Sequence, residues 1–223
     1  PIDEARARDY HTVRTKKDLD KMVRELKKAG RFAFDLETTS LDARAAEIVG
    51  QSFSAKAGRA FYIPVGHEGL EAGKQLSLAD ALESVRGLLE GDQCVKIAQN
   101  IKYDMTVLSE AGVSIGGEIF DTMVASYLIN SGRTSHGLDN LALEYLDLVT
   151  IKYADLCGKG AKAILFSHVP VEPATAYACQ DADFTFRLAE KMAPELEELG
   201  LWDLYRDLEI PLLRVLFEME DNG

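Results

Sequence analysis

The sequence has little of what marks a secreted, membrane-spanning or nucleic-acid-coating protein. Three cysteines among 223 residues, Cys94, Cys157 and Cys179, include no Cys-x-x-Cys pair. An odd, scattered set excludes a disulfide framework or a zinc knuckle and leaves small buried thiols. No apolar run approaches the roughly 18 residues that cross a bilayer. The start, Pro1-Ile2-Asp3-Glu4, lacks the basic-then-apolar pattern of a secretory leader. A cytoplasmic protein that does not enter the membrane is expected. Positive charge is also scarce, with 25 Lys and Arg against 37 Asp and Glu and a formal charge of -12. That balance excludes a protein that coats nucleic acid through a basic surface. It does not exclude an enzyme that cuts nucleic acid, because bound metals invert the local field of an acidic site.

What is present is enough apolar material for a core, 47% hydrophobic residues in a chain long enough for one generous domain or two small ones. The stretch Arg31-Phe32-Ala33-Phe34-Asp35-Leu36-Glu37 reads as a buried strand. Its two-residue period puts Phe32, Phe34 and Leu36 on one face and Ala33, Asp35 and Glu37 on the other. Two carboxylates about 4 Å apart repel by roughly 4 kcal/mol at an effective dielectric near 20. The pair therefore needs a proton or a cation, and a hard divalent ion of the magnesium or manganese kind takes carboxylate oxygens. Alone, an Asp-x-Glu at a strand end is better explained by solvation, and further acids elsewhere in the chain are needed to favour a metal.

Around that strand the chain reads as α/β. Thr15 opens an amphipathic helix that ends near Gly30, and 47–54 and 59–65 make two further strands of a meander. Ser77 caps a helix that leads into the strand 94–98. Asn100 is a candidate cap for a helix that carries Asp104 in its first turns, where an acid also suits the helix N-terminus without any further role. A short strand, 118–121, precedes helices over 122–129 and 138–145. Periodicity weakens from Asp147 to Pro173, a long and partly helical insertion of the kind that often touches substrate; its Lys159 and Lys162 are equally compatible with a solvated face. Beyond Pro173 a helix stacks Tyr177 one turn from Asp181, a metal-site arrangement or a structural hydrogen bond, and turns Asp183 away. Met192-Ala193-Pro194 is expected to break this helix, with a short one following. A final helix, Trp202 to Gly223, is punctuated by Pro211 and is too apolar to stand alone. Its abrupt end suggests a fragment of something longer or a helix waiting for a partner.

Asp35-x-Glu37, Asn100-x-x-x-Asp104 and Tyr177-x-x-x-Asp181 together resemble, in order and approximate spacing, the motifs of proofreading 3′-5′ exonucleases that carry four acids and a tyrosine. The runs 34–42, 99–104, 120–123, 136–142 and 181–183 are similar to the exonuclease domain of bacterial family A polymerases, the DNA polymerase I type. The likeness covers nearly the whole chain. It implies a ribonuclease-H-like fold, a five-stranded mixed sheet with an antiparallel second strand, flanked by helices. It divides the chain into an exonuclease domain over 1–200 and, over 201–223, a connecting helix that begins a missing polymerase domain.

By position, the resemblance makes Asp35, Glu37, Asp104 and Asp181 the ligands of two divalent ions, Mg2+ or Mn2+, and gives Tyr177 the attacking water. It offers Leu41 and Phe166 as wedges against the terminal bases, although both suit a core equally, and Asn100 as a hold on the strand. Lys102 and Arg133 stand outside this set as weaker backbone contacts. The implied substrate is a single-stranded or frayed DNA 3′ end, and the implied setting a monomer in the bacterial cytoplasm, at the nucleoid. An RNA exonuclease of the ribonuclease D type, a vestigial domain bracing a polymerase and a stand-alone exonuclease without a polymerase are the rival readings.

Overall fold

The computed structural model describes residues 8–70 and 72–222. Pro1 to Glu4, Glu71 of the glycine-rich loop and the terminal Gly223 lie outside the described residues. In chain order the strands are β1 (Asp9–Thr12), β2 (Arg31–Thr38), β3 (Ile48–Lys56), β4 (Arg59–Pro64), β5 (Val95–Ala98) and β6 (Ile119–Asp121). The helices are α1 (Lys16–Ala29), α2 (Leu78–Leu89), α3 (Ile101–Glu110), α4 (Thr122–Ile129), α5 (Leu138–Leu146), α6 (Tyr153–Cys157), α7 (Val171–Glu198), α8 (Trp202–Leu204) and α9 (Ile210–Asn222).

One mixed sheet runs in the order β1-β4-β3-β2-β5-β6. β3 is antiparallel to β2 and β4, whereas β5 and β6 run parallel to β2. The antiparallel second strand of the expected five is therefore present. The sheet has six strands rather than five, because β1 adds to the edge in parallel with β4. Its four residues, Asp-Tyr-His-Thr, carry no apolar run and alternate exposed with half-covered positions. Nothing in their hydropathy separates them from a polar lead-in.

β2 is interior, and both its faces are covered. α1 and α2 pack together over the Phe32, Phe34 and Leu36 face, while the 28-residue α7 crosses β2, β3 and β4 on the other. Asp35 and Glu37 thus lie on the face that α7 covers, Glu37 buried and Asp35 half-buried. α7 is not broken at Pro194; it continues to Glu198. Proline removes one backbone donor, but buried Met192 and Leu196 anchor the helix on either side of it.

Asn100 occupies the N-cap position of α3 in a left-handed conformation, φ 64°, yet its side chain makes no capping bond. The cap comes from Asp121 at the end of β6, whose Oδ2 accepts the Ile101 amide at 2.7 Å. Its Oδ1 accepts the Met123 and Val124 amides at 2.8 and 3.0 Å, so one buried carboxylate starts both α3 and α4. The C-terminal segment is two helices joined by a π turn over Tyr205–Glu209, immediately ahead of Pro211. A widened turn relieves the clash between a proline ring and the carbonyl four residues earlier. Tyr205 is buried against Phe120, and its hydroxyl accepts the Asp121 amide at 2.6 Å.

Asp183 ties α7 to the sheet edge by accepting the Tyr10 hydroxyl at 2.8 Å and the Gly58 amide at 2.7 Å. Asp183→Ala leaves both donors unpaired and is expected to cost about 2 kcal/mol. Urea unfolding measures it, and a loss below about 0.5 kcal/mol contradicts the role.

Candidate active site

Three segments distant in sequence, β2, α3 and α7, meet at the carboxyl end of β2. In the β2–β3 ladder Asp35 lies opposite Ser52 and Glu37 opposite Gly50, with a register shift directly after Glu37. Gly50 admits no side chain, because a Cβ there would lie 2.1 Å from the Tyr62 hydroxyl. α7 brings Asp181, and one carboxylate oxygen each from Asp35, Glu37 and Asp181 lie within 4.8 Å of one another. α3 brings the buried Asp104 beside them, and the Leu36 amide lies within reach of both the Asp35 and Asp104 carboxylates. Tyr177 lies one turn before Asp181, and the two side chains influence each other electrostatically.

The electrostatics follow from burial of like charges. Burial pushes Asp35 up to about 7. Glu37 is held well above the carboxylate range by burial and then by Asp35, Asp181 and Asp104. Burial and the Asp35 charge raise Asp104 and Asp181 in the same way. Burial and the adjacent carboxylates keep the Tyr177 phenol protonated.

Among the described residues no lysine or arginine is ion-paired with any of the four acids, and Glu37 Oε1 is buried without a hydrogen-bond partner. Oxygens from three carboxylates on one small volume, with no basic side chain paired to them, suit a hard divalent cation. The donor set fits such an ion.

The expected strand contacts divide. Leu41, in the loop after β2, is 98% exposed and not part of the core. Phe166 is fully buried, packed against His67 and Tyr177, so it takes the core alternative and presents no face to a base. The exposed aromatic is Tyr153, 48% accessible, stacked on Phe166 at 6.1 Å and 6.5 Å from the Tyr177 ring. Sequence reasoning missed it because it sits in the weakly patterned insertion, where only its aromatic character sets it apart. Asp121 was missed as well; its capping bonds are long-range and have no local signature. Lys102 is paired with Glu220 at 2.6 Å and Arg133 with Glu144 at 2.6 Å, so neither is a bare cation.

Residues 10–197 match the sequence family described as 3′-5′ exonuclease. The chain belongs to that family. It is 39% identical over 218 residues to DNA polymerase I of Pseudomonas aeruginosa, an alignment covering 96% of the chain and 24% of the polymerase. The chain thus spans about a quarter of the length of that relative. Among solved structures, the POL domain of Pol1 from M. smegmatis, in complex with DNA primer-template and dNTP, superposes with a TM-score of 0.75 at 21% identity. That match covers 96% of this chain and 32% of the other. Escherichia coli RNase D, an exoribonuclease involved in structured RNA processing, gives 0.71 at 14% identity, over 94% of this chain and 50% of the other. Likeness at these identities speaks for the fold, which is that of ribonuclease-H-like exonucleases.

The raised carboxyl groups set a stability profile with a definite sign. Between the unfolded carboxylate value near 4 and about 7 for Asp35, the folded chain binds more protons than the unfolded one. Their contribution is complete below that window and lost as pH rises through it. The unfolding temperature of metal-free protein is expected to fall between about pH 5 and about pH 8. Added magnesium or manganese should raise it more at the higher pH. Calorimetry tests both, and a metal effect equal at the two pH values contradicts the cluster as the binding site.

Proposed function

We propose that this chain is the proofreading unit of a bacterial DNA polymerase of the DNA polymerase I type, removing deoxynucleoside monophosphates one at a time from DNA 3′ ends. The observation that carries this reading is the convergence of Asp35, Glu37 and Asp181 within 4.8 Å, with Asp104 and Tyr177 against them. Asp35, Glu37, Asp104 and Asp181 would hold two divalent ions, Mg2+ or Mn2+. Such ions, when bound, lower the pKa of the attacking water and stabilise the departing 3′ oxygen.

The protein's own groups supply orientation. Tyr177 stands one turn from Asp181, and with its proton turned toward that carboxylate the phenolic oxygen would be left as an acceptor. A water donating to that oxygen directs its lone pair toward the phosphorus. Water's oxygen bonds to phosphorus as the bond to the 3′ oxygen of the preceding nucleotide breaks, and the terminal nucleotide departs as a monophosphate. Leu41 and Tyr153 offer apolar and aromatic surface to the last bases, a contact every base can make. Asn100 is retained as a hold on the strand near its end. A mispaired end costs less to fray, so a site that accepts only single strands prefers errors without reading base identity.

The wider context is part of the same proposal. α9 and the turn before it leave Leu208, Leu212, Val215, Leu216 and Met219 between 40% and 64% exposed. In the whole protein, residues 201–223 would connect the exonuclease domain of residues 1–200 to the polymerase domain. The protein would act as a monomer in the bacterial cytoplasm, at the nucleoid. Among the described residues no helix is long and apolar enough to cross a membrane.

Asp35→Ala is expected to abolish shortening of 5′-labelled single-stranded DNA in magnesium while circular dichroism stays unchanged, and retained activity refutes the assignment. Wild-type protein should degrade DNA at least about tenfold faster than RNA of the same sequence. The reverse preference would favour the ribonuclease D reading, and no shortening with either metal would favour a vestigial domain. Leu41→Ala should slow removal of a terminal nucleotide by about tenfold, as loss of roughly two methyl(ene) groups of apolar contact, about 0.8 kcal/mol each, implies. Single-turnover kinetics measure that loss.

A further inference from the structure

His67 lies outside the acid cluster, just past the end of β4. The chain turns there because position 66 is glycine: a Cβ would come within 2.8 Å of the Ile48 carbonyl oxygen. The Val65 and Gly66 amides both donate to the Val49 carbonyl, at 3.0 and 2.9 Å. This turn carries the imidazole inward, where it is buried. Its Nδ1 sits 2.8 Å from the Val169 carbonyl oxygen, and its Nε2 sits 2.7 Å from the Tyr62 hydroxyl. A carbonyl only accepts, so Nδ1 carries the proton. Nε2 is then the acceptor, and the Tyr62 proton is committed to it. Burial lowers the His67 pKa and keeps this neutral form.

Two contacts extend the tie. The Glu68 amide donates to the Ser167 carbonyl at 2.7 Å, and the imidazole meets the Phe166 ring at 5.9 Å. Phe166 touches both Tyr177, at 5.9 Å, and Tyr153, at 6.1 Å. Val169 lies two residues before α7 begins. One side chain therefore joins β4 to the segment that carries Tyr153 and to the start of the helix that carries Tyr177 and Asp181. The Tyr62 ring packs over Gly50, across the ladder from Glu37. With its proton given to His67, Tyr62 has none to offer Glu37, whose Oε1 stays unpartnered.

We propose that His67 is a positioning residue for the nuclease site, its fixed tautomer setting the Phe166 ring and, through it, the rings of Tyr177 and Tyr153 against the acids. This rests on the nuclease reading above. Small displacements of orienting groups are enough to matter, since a misplacement of about 1 Å can cost about a hundredfold in rate.

The test uses the full chain with His67→Phe, which keeps a ring but neither donates to Val169 nor accepts from Tyr62. On single-stranded DNA, kcat is expected to fall about tenfold with KM within about twofold. Amide exchange should quicken over residues 157–171 and the first turns of α7, and not in α1 or α2. The deciding arm is the pair with Tyr177→Phe: if His67 acts through Tyr177, the double variant is no slower than Tyr177→Phe alone. Independent, multiplying losses would overturn the proposal, as would a kcat loss that merely tracks the unfolded fraction. Unchanged exchange over 157–171 would overturn it whatever the activity. Wild-type protein that degrades no nucleic acid would instead sink the nuclease reading, and the exchange pattern would still decide the tie.

Discussion

Like charges brought under cover are the constraint on which the rest of this molecule depends. Asp35, Glu37, Asp104 and Asp181 repel one another in a place where water is largely excluded. Nothing about four carboxylates draws them together; each is placed by something else. β2 is fixed by strands on both sides and helices on both faces. α7 is fixed by its buried stripe, from Val171 to Leu196, and by the grip of Asp183 on Tyr10 and Gly58. α3 is fixed by the carboxylate of Asp121. The apolar packing sets up an arrangement that the acids alone would disperse, and a cation is the natural resolution.

Much of this was legible because strand and helix periods are local. The alternation in Phe32–Glu37 is enough to put two acids on one side of a strand, and four-residue spacing is enough to stack Tyr177 on Asp181. The mixed sheet with an antiparallel second strand followed from the resemblance to known exonucleases, and that antiparallel neighbour is present. What escaped was set by distance or by context. β1 is defined by the edge it joins rather than by its own four residues. The cap of α3 is 20 residues from the helix it starts, so the adjacent Asn100 drew the assignment. Pro194 was read as a break, and the packing on either side of it outweighs one missing bond.

The exchange of Phe166 for Tyr153 has the same root. Both are aromatic residues in an insertion whose sequence shows no period, and nothing local says which of two stacked rings faces out. Burial answers it, since Phe166 lies beneath and Tyr153 above. The basic residues show a related effect. Lys102 and Arg133 look like free cations in a chain of net charge -12, but each already has an acid for a neighbour. Neither Lys102 nor Arg133 therefore counts as uncommitted positive charge.

Asp121 has a further consequence. The carboxylate that begins α3 belongs to a residue whose own amide is held by the Tyr205 hydroxyl. Asp104 is thereby chained, through one short β-strand, to a phenol that follows the long helix by several residues. Ending the polypeptide between Glu198 and Tyr205 would remove a strut from beneath α3, so the packing that holds the acids in place depends on residues beyond the end of α7.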